Sequence, residues 1–162
     1  GLCAIRCPRG KEAYKPTGFR STVEPVACYG PEDAPMALVT YGRLFSFAAE
    51  CTERLEGQGL PVRVVKLNRI VPIDPQAVQA ALPCRHVFFF EEGIRQGGIG
   101  EEFSCLLQEA GFAGACHLHA VEDPFVRHAP MFRSLEALGL NAAGMEQAIL
   151  AQCETERGGA RR

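Results

Sequence analysis

The stretch from His86 to Leu107, reading HVFFFEEGIRQGGIGEEFSCLL, constrains the fold more than any other part of the chain. Val87, Phe88, Phe89 and Phe90 form a β-branched and aromatic run that is too short for a helix and apolar at every position. That combination predicts a strand buried on both faces of a parallel sheet. The run ends in two acids, Glu91 and Glu92, and in a glycine-rich turn, GIRQGGIG, spanning Gly93 to Gly100. Beyond the turn, Ile99, Phe103, Leu106, Leu107 and Ala110 recur at helical spacing, and Glu101 and Glu102 fall in the first turn, where the helix dipole favours negative charge. Strand, loop and helix in this order make an α/β unit. Functional loops in such sheets gather at the carboxyl ends of the strands, which is where Glu91, Glu92 and the glycines lie.

The same alternation extends on either side. Met36 to Tyr41 (MALVTY) reads as a strand stopped by Gly42. Leu44, Ala48, Cys51 and Leu55 then form one stripe of a helix that carries a Glu50–Arg54 pair on its outer face and closes at Gly57 and Gly59. Val62 to Leu67 is the next strand, and the turn IVPIDP leads into a short helix from Gln76 to Leu82. Cys116 to Val121 is a further strand. Two helices follow, around Met131 to Leu138 and from Ala142 to Cys153, the second capped by Asn141. Strands separated by helices at this spacing require right-handed crossovers. The expected architecture is a three-layer α/β/α fold with a mostly parallel sheet of about five strands.

Before Met36 the composition changes. Pro16, Pro25, Pro31 and Pro35, with Gly18 and Gly30, describe an extended connector over residues 11–35, crossed by one short strand at about Ser21 to Cys28. No helix separates that strand from Met36, so it is expected to pair antiparallel at an edge of the sheet. The opening residues, GLCAIRCPRG, read as the tail of a strand whose own sheet lies elsewhere, as if the chain were cut from a longer polypeptide. At the other end ETERGGARR, residues 154–162, reads as a disordered polar tail.

With 162 residues, 47% of them hydrophobic, the chain can bury one substantial core. A net charge of −2 gives no electrostatic footprint for nucleic acid, and no basic run is long enough to draw the chain to a membrane. No apolar run approaches the roughly 20 residues that span a bilayer. The expectation is a soluble, cytoplasmic domain with neither nucleic acid nor membrane as partner. Eight cysteines are scattered through apolar positions without a C-x-x-C pair, so they are expected to be reduced small hydrophobes in place of a disulfide framework or a zinc site.

Several residues could carry chemistry. A carboxyl at the end of a buried strand, as at Glu91 or Glu92, could serve as a general acid or base, while hydrogen bonding to neighbouring backbone amides is the commoner use. GIRQGGIG is neither a G-x-G-x-x-G fingerprint nor a Walker loop, and close packing of a helix start against the sheet accounts for Gly97, Gly98 and Gly100. His117 and His119 alternate on one strand and share a face, as a metal-ligand pair or as packing and interface residues. Arg127 and His128 sit in the loop after that strand, placed either for binding or for contact with a neighbouring domain. These residues alone do not name a reaction.

Six motifs in order, AIRCPRG, LVTYG, VKLNRIVPID, VFFFEEGIRQGGIGEEF, and DPFVRHAP followed by LEALGLNAAGM, resemble the C-terminal portion of the 1-deoxy-D-xylulose-5-phosphate synthase family. These are thiamine-diphosphate enzymes of the transketolase superfamily. The A-I-R-x-P-R-G segment is the most discriminating, because transketolases and the β chains of 2-oxo-acid dehydrogenases differ there. Cys7 stands where the family usually has an aromatic, and Ala129 where it usually has a glycine. The resemblance implies a homodimeric parent of three α/β domains that joins the two-carbon unit of pyruvate, after decarboxylation, to glyceraldehyde 3-phosphate. Residues 1–10 would then end a pyrimidine-binding-type domain, residues 11–35 would link, and residues 36–153 would form the transketolase C-terminal-like domain. Thiamine diphosphate, its magnesium and the activating glutamate would belong to the other domains, leaving this fragment without cofactor and inactive alone. The resemblance also implies that an arginine of the R-x-P-R-G segment contacts the substrate phosphate; the matching positions are Arg6 and Arg9, whose guanidinium forks suit that group. A C-terminal subunit of another transketolase-superfamily enzyme, a non-catalytic interaction domain and a free-standing nucleotide-binding domain are the competing readings.

Overall fold

The computed structural model describes residues 2–4, 14–16, 18–19, 23–122 and 125–159. Five strands form one sheet: β1 (Val26–Tyr29), β2 (Met36–Tyr41), β3 (Val62–Leu67), β4 (His86–Ile94) and β5 (Ala115–Val121). They are interleaved with α1 (Leu44–Gly57), α2 (Pro75–Ala81), α3 (Ile99–Glu109), α4 (Met131–Ala137) and α5 (Ala142–Gly159). Across the sheet the order is β1-β3-β2-β4-β5. Only β1 runs antiparallel, against β3, and every other neighbouring pair is parallel.

The alternation of side chains divides the core into two layers. Leu38, Val64, Phe88 and Phe90 face α1 and α5, meeting Leu44, Ala48, Cys51, Leu55, Met145 and Ile149. Val39, Val65, Val87 and Phe89 face the other way, against Ala77, Val78 and Ala81 of α2 and Phe103 and Leu107 of α3. Helices on both faces make β4 a strand with no wet side, which is why HVFFF is continuously apolar. Phe89 is fully buried. The predicted stripe of α1, the Glu50–Arg54 ion pair on its surface and the Asn141 cap of α5 are all present, the last as Gly144 N donating to Asn141 Oδ1 at 2.8 Å.

Three boundaries differ from expectation. The edge strand lies at Val26–Tyr29, whereas Val23 is fully exposed and belongs to no strand. Its pairing starts where the Pro25 carbonyl accepts from Asn68 N and Arg69 N, at 2.9 and 3.0 Å, and stops at Gly30, whose φ of +83° turns the chain away. At the other end α5 runs on to Gly159, so most of the segment expected as a disordered tail is helical. Glu154, Thr155, Glu156 and Arg157 contain no helix breaker, and Thr155 Oγ1 donates to the Ala151 carbonyl at 2.9 Å. Finally, β4 does not end at Phe90; Glu91 and Glu92 lie inside it.

The seven described cysteines are all free, with Cys51 and Cys84 buried among apolar neighbours. Burial pushes the Cys51 thiol up to about 12, so it stays neutral and behaves as the small hydrophobe its position suggests. Among the described residues no helix is long and apolar enough to cross a membrane.

Candidate functional site

Among the described residues Glu91 is the one buried acid at the carboxyl ends of the strands, 3% exposed. Its odd position in β4 places it on the same face as Val87 and Phe89, directly under the start of α3. There its Oε1 accepts from Gly100 N at 3.1 Å, and its Oε2 accepts from Ile99 N at 3.2 Å and from the Tyr41 hydroxyl at 3.0 Å. The first amides of a helix have no partner within it and carry the positive end of its dipole, so a carboxylate there is stabilised by hydrogen bonds and charge together. Burial, followed by the charge of Glu91, drives the Tyr41 phenol well above its ordinary value and keeps it a hydrogen-bond donor.

The glycines follow from this carboxylate. A Cβ on Gly98 would stand 2.4 Å from Glu91 Oε1 and 2.6 Å from the Ile94 carbonyl; one on Gly100 would meet Phe89 at 2.9 Å and Leu118 at 3.0 Å. Helix α3 can approach the sheet closely enough to be capped by Glu91 only where side chains are missing. Gly97 N is held by Glu101 Oε2 at 2.8 Å, which closes the turn from the other side. With three donors on its two oxygens, Glu91 is a structural cap, the commoner of the two uses weighed for it. Glu92 points outward and pairs with Arg43 at 3.0 Å.

A second cluster lies on the opposite face of the sheet. His117 and His119 share that face, as their spacing predicts, and the register of β4 against β5 sets them beside Phe88 and Phe90. The rings of His117 and Phe88 stack at 4.6 Å and those of His119 and Phe90 at 4.5 Å. His86, which the sequence did not single out, joins them: its Nδ1 lies 3.2 Å from His117 Nε2. Burial lowers the basicity of both His117 and His119, and each is depressed further by a neighbouring histidine, His86 for the first and His117 for the second.

Arg127 and His128 are exposed in the loop after β5. Ile70 and Val71 beyond β3, Ile94 at the end of β4, and Phe125 and Val126 beyond β5 are likewise exposed, giving the carboxyl ends of three strands an apolar rim. Arg6 and Arg9 lie outside the described residues.

Residues 31–145 match the family described as "Transketolase, C-terminal domain". Among curated relatives, a 1-deoxy-D-xylulose-5-phosphate synthase of Rhodococcus erythropolis is 32% identical over 73% of this chain and 18% of its own length. One of Chromohalobacter salexigens is 31% identical over 97% of this chain and 24% of its own length. The chain therefore spans about a quarter or less of these two relatives. Two solved structures share the fold: a split-gene transketolase described as an inactive β4 tetramer, with a TM-score of 0.73 and 24% identity over 84% of this chain and 46% of that one, and a transketolase from Campylobacter jejuni, with a TM-score of 0.62 and 17% identity over 86% of this chain and 20% of that one. The five-strand sheet with its single antiparallel edge, the carboxylate-capped glycine turn and the match over residues 31–145 place the chain in the transketolase C-terminal domain family.

Proposed function

We propose that this chain is the C-terminal domain of a thiamine-diphosphate-dependent 1-deoxy-D-xylulose-5-phosphate synthase. The parent condenses pyruvate with glyceraldehyde 3-phosphate, releasing carbon dioxide and forming a precursor of isoprenoids and of thiamine. The observation that carries this reading is the run of curated relatives with that name, one of them aligned over 97% of the chain. The domain packs against its neighbours and helps to build a cytoplasmic homodimer. The apolar rim at the carboxyl ends of β3, β4 and β5 supports a packing role, since exposed apolar patches mark interaction surfaces.

Thiamine diphosphate and magnesium are held elsewhere in the parent. Among the described residues no three His, Cys, Asp or Glu side chains converge to cage the cofactor's magnesium, and the Glu91 carboxyl at the glycine turn is already engaged as a cap. These residues do not fit the cofactor. In this reading residues 1–10 belong to the end of the preceding pyrimidine-binding-type domain, and Arg6 or Arg9 supplies the guanidinium contact to the aldehyde phosphate. The test is to assay the full-length product of the reading frame with pyruvate, glyceraldehyde 3-phosphate, thiamine diphosphate and magnesium. Formation of 1-deoxy-D-xylulose 5-phosphate is expected from the parent and none from the 162-residue chain alone. A parent that turns over neither substrate, or a short chain that binds the cofactor at micromolar concentration, would overturn the proposal.

A further inference from the structure

We infer that His86 and His117 form a two-imidazole binding site for a divalent transition metal of the zinc type. His86 Nδ1 and His117 Nε2 face each other at 3.2 Å. Two imidazoles on one tetrahedral zinc, with bonds of about 2.0–2.1 Å, hold their nitrogens about 3.3–3.4 Å apart. The pair already stands within about 0.2 Å of that separation, so both rings need only swing to aim their lone pairs at one ion.

The frame is suited to holding that spacing. His86 begins β4, and His117 lies on β5, its parallel neighbour. Both backbones are fixed by the same ladder. The His117 ring is pinned against Phe88, which is itself buried, and the two imidazoles are tilted by only 21°. β5 is the last strand of the sheet, and both histidines are partly exposed, so an ion reaches them without opening the core. His119 is not a third ligand: its ring stacks on Phe90 at 4.5 Å, and no group of three such side chains converges among the described residues. Among the described residues no group of three His, Cys, Asp or Glu side chains includes the pair, so the site is defined by these two imidazoles, with water or other donors completing the coordination. Imidazole is a borderline ligand that suits zinc, nickel and copper, whereas magnesium and calcium prefer oxygen.

This site uses only groups of the present chain and is independent of the reaction proposed for the parent. It is tested on the full chain by long-range proton–nitrogen NMR of the assigned imidazoles during titration with zinc chloride, which separates this site from binding at cysteine. Nδ1 of His86 and Nε2 of His117 should shift together with one midpoint, while His119 and His128 stay in place. His86→Phe should weaken the response of His117 at least tenfold, and magnesium chloride should move neither ring. Zinc-induced shifts confined to His128, to His119 or to one member of the pair would overturn the site, as would no shift in either ring up to millimolar zinc.

Discussion

Replacing Glu91 by glutamine keeps the volume and shape of the side chain but removes one acceptor and the charge. The surviving carbonyl can take the place of Oε2, which receives both Tyr41 and Ile99, but the amide nitrogen then faces the N–H of Gly100 across about the 3.1 Å now spanned by a hydrogen bond. Turning the amide over satisfies Gly100 and strands the other two. One buried donor left without an acceptor costs ~1–3 kcal/mol. Loss of negative charge at the start of α3 adds ~0.3–1 kcal/mol. The expected destabilisation of Glu91→Gln is therefore about 1.3–4 kcal/mol, a substantial share of a domain's marginal stability. It should be read from the urea midpoint at unchanged slope. In heat the equivalent fall in Tm is roughly 3–16 °C at about 2–4 °C per kcal/mol. A loss below about 0.5 kcal/mol, the range of ordinary surface changes, would refute the capping role. If the parent enzyme carrying Glu91→Gln lost turnover while keeping its stability, the carboxyl would be a chemical group after all.

Gly98→Ala should be at least as damaging as a typical overpacked core variant, about 1–3 kcal/mol, because one of the atoms its Cβ meets is the Ile94 carbonyl of the backbone; denaturant unfolding would measure it, and a neutral result would mean that α3 can shift. The Tyr41 phenol is raised above its ordinary value of 10.0 by burial and then by Glu91, so its contribution to stability is complete below pH 10 and fades as pH rises from 10 through its folded value; unfolding free energies across that window should fall less steeply in Tyr41→Phe than in the native chain. In the full-length parent, Arg6→Ala or Arg9→Ala should cost roughly ten- to a hundredfold in use of glyceraldehyde 3-phosphate, leave pyruvate handling intact, and be only partly restored by lysine; if both alanine variants kept the native preference for the phosphorylated aldehyde, these arginines would not be the phosphate contact.

The elements that were legible in the sequence are those whose evidence is local. Val87 to Phe90 could be read as doubly buried because every residue is apolar, and α1 because Leu44, Ala48, Cys51 and Leu55 repeat at helical spacing. The edge strand was displaced by a few residues because its limits are set by the Pro25 carbonyl meeting Asn68 and Arg69, a pairing invisible in PVACYG itself. Glu91 could be located but not assigned, since the hydroxyl that completes its cap belongs to Tyr41, fifty residues earlier. His86 escaped notice for the same reason: strand register, and nothing in the local sequence, sets it opposite the segment containing His117. The helical extension of α5 ran against composition, because the polar but breaker-free run from Glu154 to Arg157 can continue a helix that is already anchored upstream.

The strand order has a consequence for how the chain is made. β1 and β2 are consecutive in sequence yet never touch, because β3 inserts between them. Neither can close a hairpin as it leaves the ribosome, and the MALVTY segment stays unpaired until residues 62–67 have followed it out. Helix α1, formed from local contacts, is then the sole early shield for that apolar strand. Translation pauses that hold Met36–Tyr41 outside the ribosomal exit tunnel while Val62–Leu67 are still inside it should lengthen this vulnerable interval and favour aggregation, whereas pauses after Leu67 has emerged should be harmless.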